Sequence, residues 1–138
     1  MERFDERYLD VARDAIAVPG IASAAIFVRG AGAAELRLAA AAGIEGEPLR
    51  RLSVAVLDPA HPIARTLEDG TESFDVRPTA PGGPALRSHL PILTGQDGRQ
   101  ACVGVLAVAH DPALDREART ALGALAARAG RIQGTAPR

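Results

Sequence analysis

Apolar side chains at Phe4, Tyr8, Val11, Ala12, Ala15 and Ile16 recur at the spacing of one helix stripe, and Arg3, Glu6, Arg7, Asp10, Arg13 and Asp14 cover the remaining surface. This predicts a helix over 4–17, ended by Pro19-Gly20. Two strands follow, at 21–29 (IASAAIFVR) and 34–42, where Glu35 and Arg37 alternate with Leu36 and Leu38. The turn Gly30-Ala31-Gly32 joins them as an antiparallel hairpin. Residues 44–60 are mixed, with a short helix near Glu47-Pro48. Asp58-Pro59 and His61-Pro62 carry N-cap and first-turn signals, and Ile63, Ala64 and Leu67 give the apolar edge of a helix over 62–68.

Alternation predicts a strand at 71–76 (TESFDV), and three Pro with two Gly at 78–84 exclude any regular element there. A strand over 86–93 contains Pro91, which lacks an amide donor and so places this strand at an edge or a bulge. Gln96-Asp97-Gly98 is a hairpin turn signal leading into the strongly apolar strand 101–109. Asp111-Pro112 reads as an N-cap with proline in the first turn of a helix over 112–132, with its stripe at Leu114, Ala118, Ala121, Leu122, Leu125, Ala129 and Ile132. Residues 134–138 read as a frayed tail. Strands paired by hairpins, with long helices at both ends, make an α+β fold around an antiparallel sheet of five or six strands.

The 138 residues suit one domain. Of the apolar positions 29 are Ala, so the core is built from small residues. All 16 basic residues are Arg, and Ala, Gly, Arg and Pro make up half the chain, which points to a GC-rich bacterial source. Seventeen acidic residues offset the Arg, and this balance argues against a nucleic-acid partner. No apolar stretch is long enough to span a membrane, and MERFDERYLD is unlike a signal peptide, so the expected compartment is the cytoplasm. The single Cys102 excludes an internal disulfide and multi-cysteine metal sites, and its apolar surroundings read as core.

In order and spacing, VPGIASAAIFVRG (18–30), AELRLAAAAG (34–43), HPIARTLEDG (61–70), LRSHLPIL (86–93), CVGVLAVAH (102–110) and the helix from Asp111 resemble a GAF domain. The resemblance spans 1–133 as a single domain. It implies terminal helices on one face of the sheet, and short helices and loops enclosing a small-molecule pocket on the other. It also implies a homodimer formed through the helices 4–17 and 112–132. PAS and roadblock-type domains use similar alternations, but the long helix at each end with two hairpins favours GAF. Several family features are missing. Leu93-Thr94 stands where the family has a Pro-Leu pair, and the chain has no Asn with which to complete the NKFDE signature of cyclic-nucleotide binders. No Cys stands beside a His for covalent bilin attachment, and one Cys does not meet the several used by free methionine sulfoxide reductases.

Within that frame the candidate ligand-binding residues are Phe74, Arg77, Arg87, His89 and His61. Arg87, His89 and Pro91 share one face of their strand, and Leu90 and Ile92 the other; which face lines the pocket is open. Arg77 or Arg87 would pair with an anionic ligand. His89 or His61 would be the imidazole for a haem, although neither haem nor a cyclic nucleotide has support from the residues. Phe74 is either pocket lining or core. His110, before Asp111, reads as structural. No nucleophile–base pair emerges, Ser53, Ser73 and Ser88 lack an elbow context, and without Lys no phosphate loop is possible. The expected function is therefore non-catalytic sensing of a small molecule, with a ligand-free dimerisation or interaction module as the alternative.

Overall fold

The computed structural model describes residues 4–29, 36–78, 86–96 and 99–134. The first helix, α1 (Glu6–Ile16), starts at Asp5, whose carboxylate accepts from the Arg7 amide at 2.9 Å and also pairs with the Arg7 guanidinium. Its stripe of Tyr8, Val11, Ala12 and Ala15 is buried, as the periodicity predicts. Five strands form one sheet: β1 (Ile21–Arg29), β2 (Leu36–Ala42), β3 (Ser73–Val76), β4 (Leu86–Gln96) and β5 (Arg99–His110). Their order is β2-β1-β5-β4-β3, with every neighbour antiparallel. The central strand is β5, in accord with its apolar sequence.

Two layers of side chains cover the sheet. On one face, α1 and the last helix, α4 (Arg116–Gly134), bury Ile26, Val28, Leu90, Ile92, Leu106 and Val108. Close packing of α4 depends on Gly130, where a Cβ would collide with the Leu93 carbonyl oxygen of β4. On the other face, α2 (Gly46–Ala55), the following Val56, and α3 (Pro62–Asp69) cover Ala25, Phe27, Val105 and Ala107. The α2 helix buries none of its own residues fully; it leans on the sheet through half-buried Leu49 and Leu52 and leaves Val54 exposed.

Two details differ from the sequence expectation, and a third, the edge or bulge at Pro91, takes an unexpected form. The C-terminal helix begins at Arg116, not at 112, and Asp115 accepts from the Ala118 amide in the capping position. Residues 111–114 are held from outside instead: the Asp111 amide donates to Gly20 and the Leu114 amide to Asp75, so tertiary contacts override the Asp-Pro start signal. Cys102 is only partly buried, beside a register shift at Ile92/Leu93 in the β4–β5 pair. Pro91 lies on an interior strand by order, but β3 pairs only as far as His89, so among the described residues no strand pairs with β4 on its outer side at Pro91, as its missing amide requires. The turn at 30–32, the loop at 79–84, the turn residues 97–98 and the tail 135–138 lie outside the described residues.

Candidate functional site

Strand β4 sends successive side chains to opposite faces, and the two faces carry different chemistry. Arg87, His89 and Pro91 point to the α2–α3 side, and Ser88, Leu90 and Ile92 to the α1–α4 side. Across the ladder, Arg87 pairs with Ala109 and His89 with Ala107, and Ala107 in turn pairs with Ala25 of β1. An alanine floor therefore surrounds two long polar side chains.

His89 is 3% exposed, and its Nδ1 is buried with no hydrogen-bond partner among the described residues. Such groups are normally satisfied. Burial pushes its pKa down to about 4, and the nearby charges of His61, Arg87 and His110 act in the same direction. His61 arrives from the opposite side as the N-cap of α3. Its Nδ1 accepts from the Ile63 amide at 3.1 Å, which leaves the proton of the neutral ring on Nε2. Burial also lowers the His61 pKa, against the attraction of Asp58. Arg87 is half-buried, with NH1 donating to the Leu86 carbonyl at 3.2 Å. Burial lowers its pKa too. Of the five sequence candidates, the structure thus brings together His89, Arg87 and His61.

The other two candidates lie elsewhere. Phe74 packs into the α1–α4 layer, with the Arg119 guanidinium 4.5 Å above its ring. Arg77 is exposed just beyond β3.

The α1–α4 face carries a polar cluster that the sequence did not reveal. Ser88 and His110 are both 0% exposed, with Oγ and Nε2 2.8 Å apart. His110 Nδ1 lies 2.9 Å from the Pro112 carbonyl, which can only accept, so Nδ1 carries the proton and Nε2 accepts from Ser88. Ser88 Oγ in turn accepts from the Asp75 amide at 3.0 Å. The Asp75 carboxylate accepts from the Leu114 amide at 3.0 Å and from Arg119 at 2.6 Å. These bonds, with the Leu114 amide foremost, hold its pKa below the ordinary Asp value. Asp75 sits at φ 58, a left-handed conformation that Asp tolerates better than most residues. A Ser–His pair suggests nucleophilic catalysis, but here both side chains are sealed from solvent, and the Ser88 hydroxyl already has a donor and an acceptor. The cluster binds β3, β4, β5 and α4 together.

An open cleft of about 580 Å³ runs between the outer edge of β4 and α4, along Pro91, Thr94, Gly123 and Ala127. Its charged or amide-bearing lining residues, Glu72, Gln100 and Arg131, are all exposed. None of the five candidates lines it.

This arrangement has solved counterparts. The second GAF domain of DevS from Mycobacterium smegmatis superposes with a TM-score of 0.72 over 94% of this chain and 91% of its own, at 17% identity. The chain has the GAF fold. A GAF domain/HD domain protein from Geobacter sulfurreducens gives a TM-score of 0.71 at 13% identity, covering 94% of this chain and 90% of its own. A type II free methionine-R-sulfoxide reductase from Thermoplasma acidophilum gives 0.68 at 11% identity, with 92% and 89% covered. No protein-family model matches the sequence, and no curated protein matches it significantly. In GAF terms, α1 and α4 are the terminal helices and α2 and α3 the covering elements. Among the described residues, no helix is long and apolar enough to cross a membrane.

Proposed function

We propose that this GAF-fold chain is a non-catalytic sensory or regulatory module that holds a small molecule between the sheet and the α2–α3 layer. His89 carries the reading: a 3% exposed imidazole with an unsatisfied Nδ1, on an alanine floor, is a costly arrangement that a bound partner relieves. Arg87 and His61 flank it. Occupancy shifts the balance between two states that the ligand binds unequally. The terminal helices carry that change to a second copy in the cytoplasm. They touch each other on the face opposite His89, tied by the Arg128–Asp14 ion pair at 2.7 Å. Free methionine-R-sulfoxide reduction, the activity of one structural neighbour, is disfavoured because this chain has a single Cys, half-buried and with its thiol pKa pushed up by burial.

The test is native mass spectrometry beside an ultraviolet–visible spectrum of gently purified protein. The expected result is a dimer with added small-molecule mass, and that mass falls away in His89→Leu. A dimer that stays bare through mild purification, and gains no mass from a cell-extract metabolite fraction, moves the function to subunit association alone. A Soret band would identify the ligand as haem.

A further inference from the structure

We infer that the group recognised on the α2–α3 face is an anion, a carboxylate or phosphate, seated against His89 and Arg87 with His61 at its rim. This rests on the reading that the α2–α3 side is the ligand side, and goes beyond it by naming the ligand's chemistry. Two observations carry it. The first is geometric: a buried imidazole with an unsatisfied nitrogen and a half-buried guanidinium stand two residues apart on one strand face. The residues paired with them across the ladder, Ala109 and Ala107, are both alanines, so no large side chain stands directly beside either group on β5.

The second is the sign of the surrounding charge. The groups that act on His89 are His61, Arg87 and His110, all potential cations, and no carboxylate is among them. Asp75, the nearest acidic residue on β3, is turned to the other face and engaged by Leu114 and Arg119. Asp58 acts on His61, and one of its oxygens already accepts from the Ala60 amide at 2.9 Å. A half-buried guanidinium beside a buried imidazole favours an incoming negative charge, because low-dielectric surroundings strengthen a charge-assisted hydrogen bond. A planar carboxylate or a phosphate oxygen matches the guanidinium fork and accepts from an imidazole N–H.

The chain has only three histidines, which makes the test direct. Ring nitrogen and proton resonances of His61, His89 and His110 are followed in the wild-type protein at pH 7, titrated with inorganic phosphate and separately with acetate, at ionic strength held constant with sodium chloride. His89 is expected to shift along a saturating curve with at least one anion and His61 to follow by less. His110, bonded on the far side of the sheet, should stay still. Arg87→Gln should weaken that binding by roughly tenfold or more while leaving the His110 resonance in place as a check on folding. Saturation by phosphate alone or by acetate alone tells which anion the seat takes.

His89 standing still with both anions, or moving in proportion with His110, overturns the inference. If the protein retains an uncharged molecule whose removal shifts His89, the sensory reading stands and the anion seat falls. If a retained molecule shifts His110 and not His89, both fall.

Discussion

Ser88 and His89 are neighbours on one strand and are equally hidden from water, yet they face opposite conditions. Ser88 looks into the α1–α4 layer, where its hydroxyl accepts from Asp75 and donates to His110, which in turn donates to Pro112. His89 looks into the α2–α3 layer and keeps a buried nitrogen with no partner among the described residues. One face completes its polar network, and the other holds a polar group without a bond of its own among the described residues. A satisfied network fixes a structure, whereas an unsatisfied one is stable only where something else gains from it. On the proposed function, the contrast divides the sheet into a structural side and a receptive side.

Acid should separate the two faces most sharply. The folded pKa of His89 is about 4, below the ordinary His value near 6.5, so the unfolded chain binds the proton first. The stability contribution is therefore complete above about pH 6.5 and is lost as pH falls toward 4, by roughly 3 kcal/mol over the whole window. His61 shifts in the same direction. Asp75 is also lowered, but from the carboxylate range, so its contribution is lost only on further acidification, below the ordinary Asp value. Urea melts at pH 7, 5, 4 and 3 should show the receptive side failing first. A flat profile between pH 7 and 5 would undo that order.

Ser88→Ala should cost about 2 kcal/mol, because it strands the Asp75 amide and His110 Nε2 in a dry interior. Equilibrium unfolding measures it, and a loss below about 0.5 kcal/mol would mean that water or a rearranged Asp75 replaces the hydroxyl. His89→Leu should act in the opposite direction, stabilising by about 1 kcal/mol as an unsatisfied polar group gives way to an apolar one of similar size. The same variant should flatten the acid profile above pH 4 and lose anion binding, the usual exchange of function for stability. Arg119→Ala should have the smallest effect, about 0.5–1 kcal/mol. It removes an ion pair with Asp75 and a cation over Phe74, but the side chain is partly solvated. That modest loss should shrink further in high salt.

Much of this could be read from the residues. The hairpins, the α1 stripe, α3 with its His61-Pro62 start and the central position of β5 follow from period, turn chemistry and apolarity. The alternation of 87, 89 and 91 against 88, 90 and 92 was equally plain, but not which set met which helices. Both sets mix polar and apolar residues, and the helices that decide the matter are distant in sequence. The α2 helix gave a weak signal because it buries almost nothing. Asp75 gave none: its role comes from a left-handed turn of the backbone that aims one carboxylate at residues 39 and 44 positions further along. The start of α4 was misplaced because a local cap signal at Asp111 competed with, and lost to, bonds to Gly20, just before β1, and to Asp75 of β3.

The free outer edge of β4 also bears on how this chain avoids its own kind. Beyond His89, β3 no longer covers the strand, and among the described residues no other strand pairs with its outer side from Leu90 onward. Such a margin invites another molecule to add a strand and start an aggregate. Pro91 stands at the first uncovered turn of the ladder, where it removes an amide and breaks the template. The register shift at Ile92/Leu93 bends what remains, and exposed Glu72 places a charge beside it. The proline that looks misplaced inside an apolar strand thus stands where β3 has ended, and its missing amide makes that margin a poorer template for a further strand.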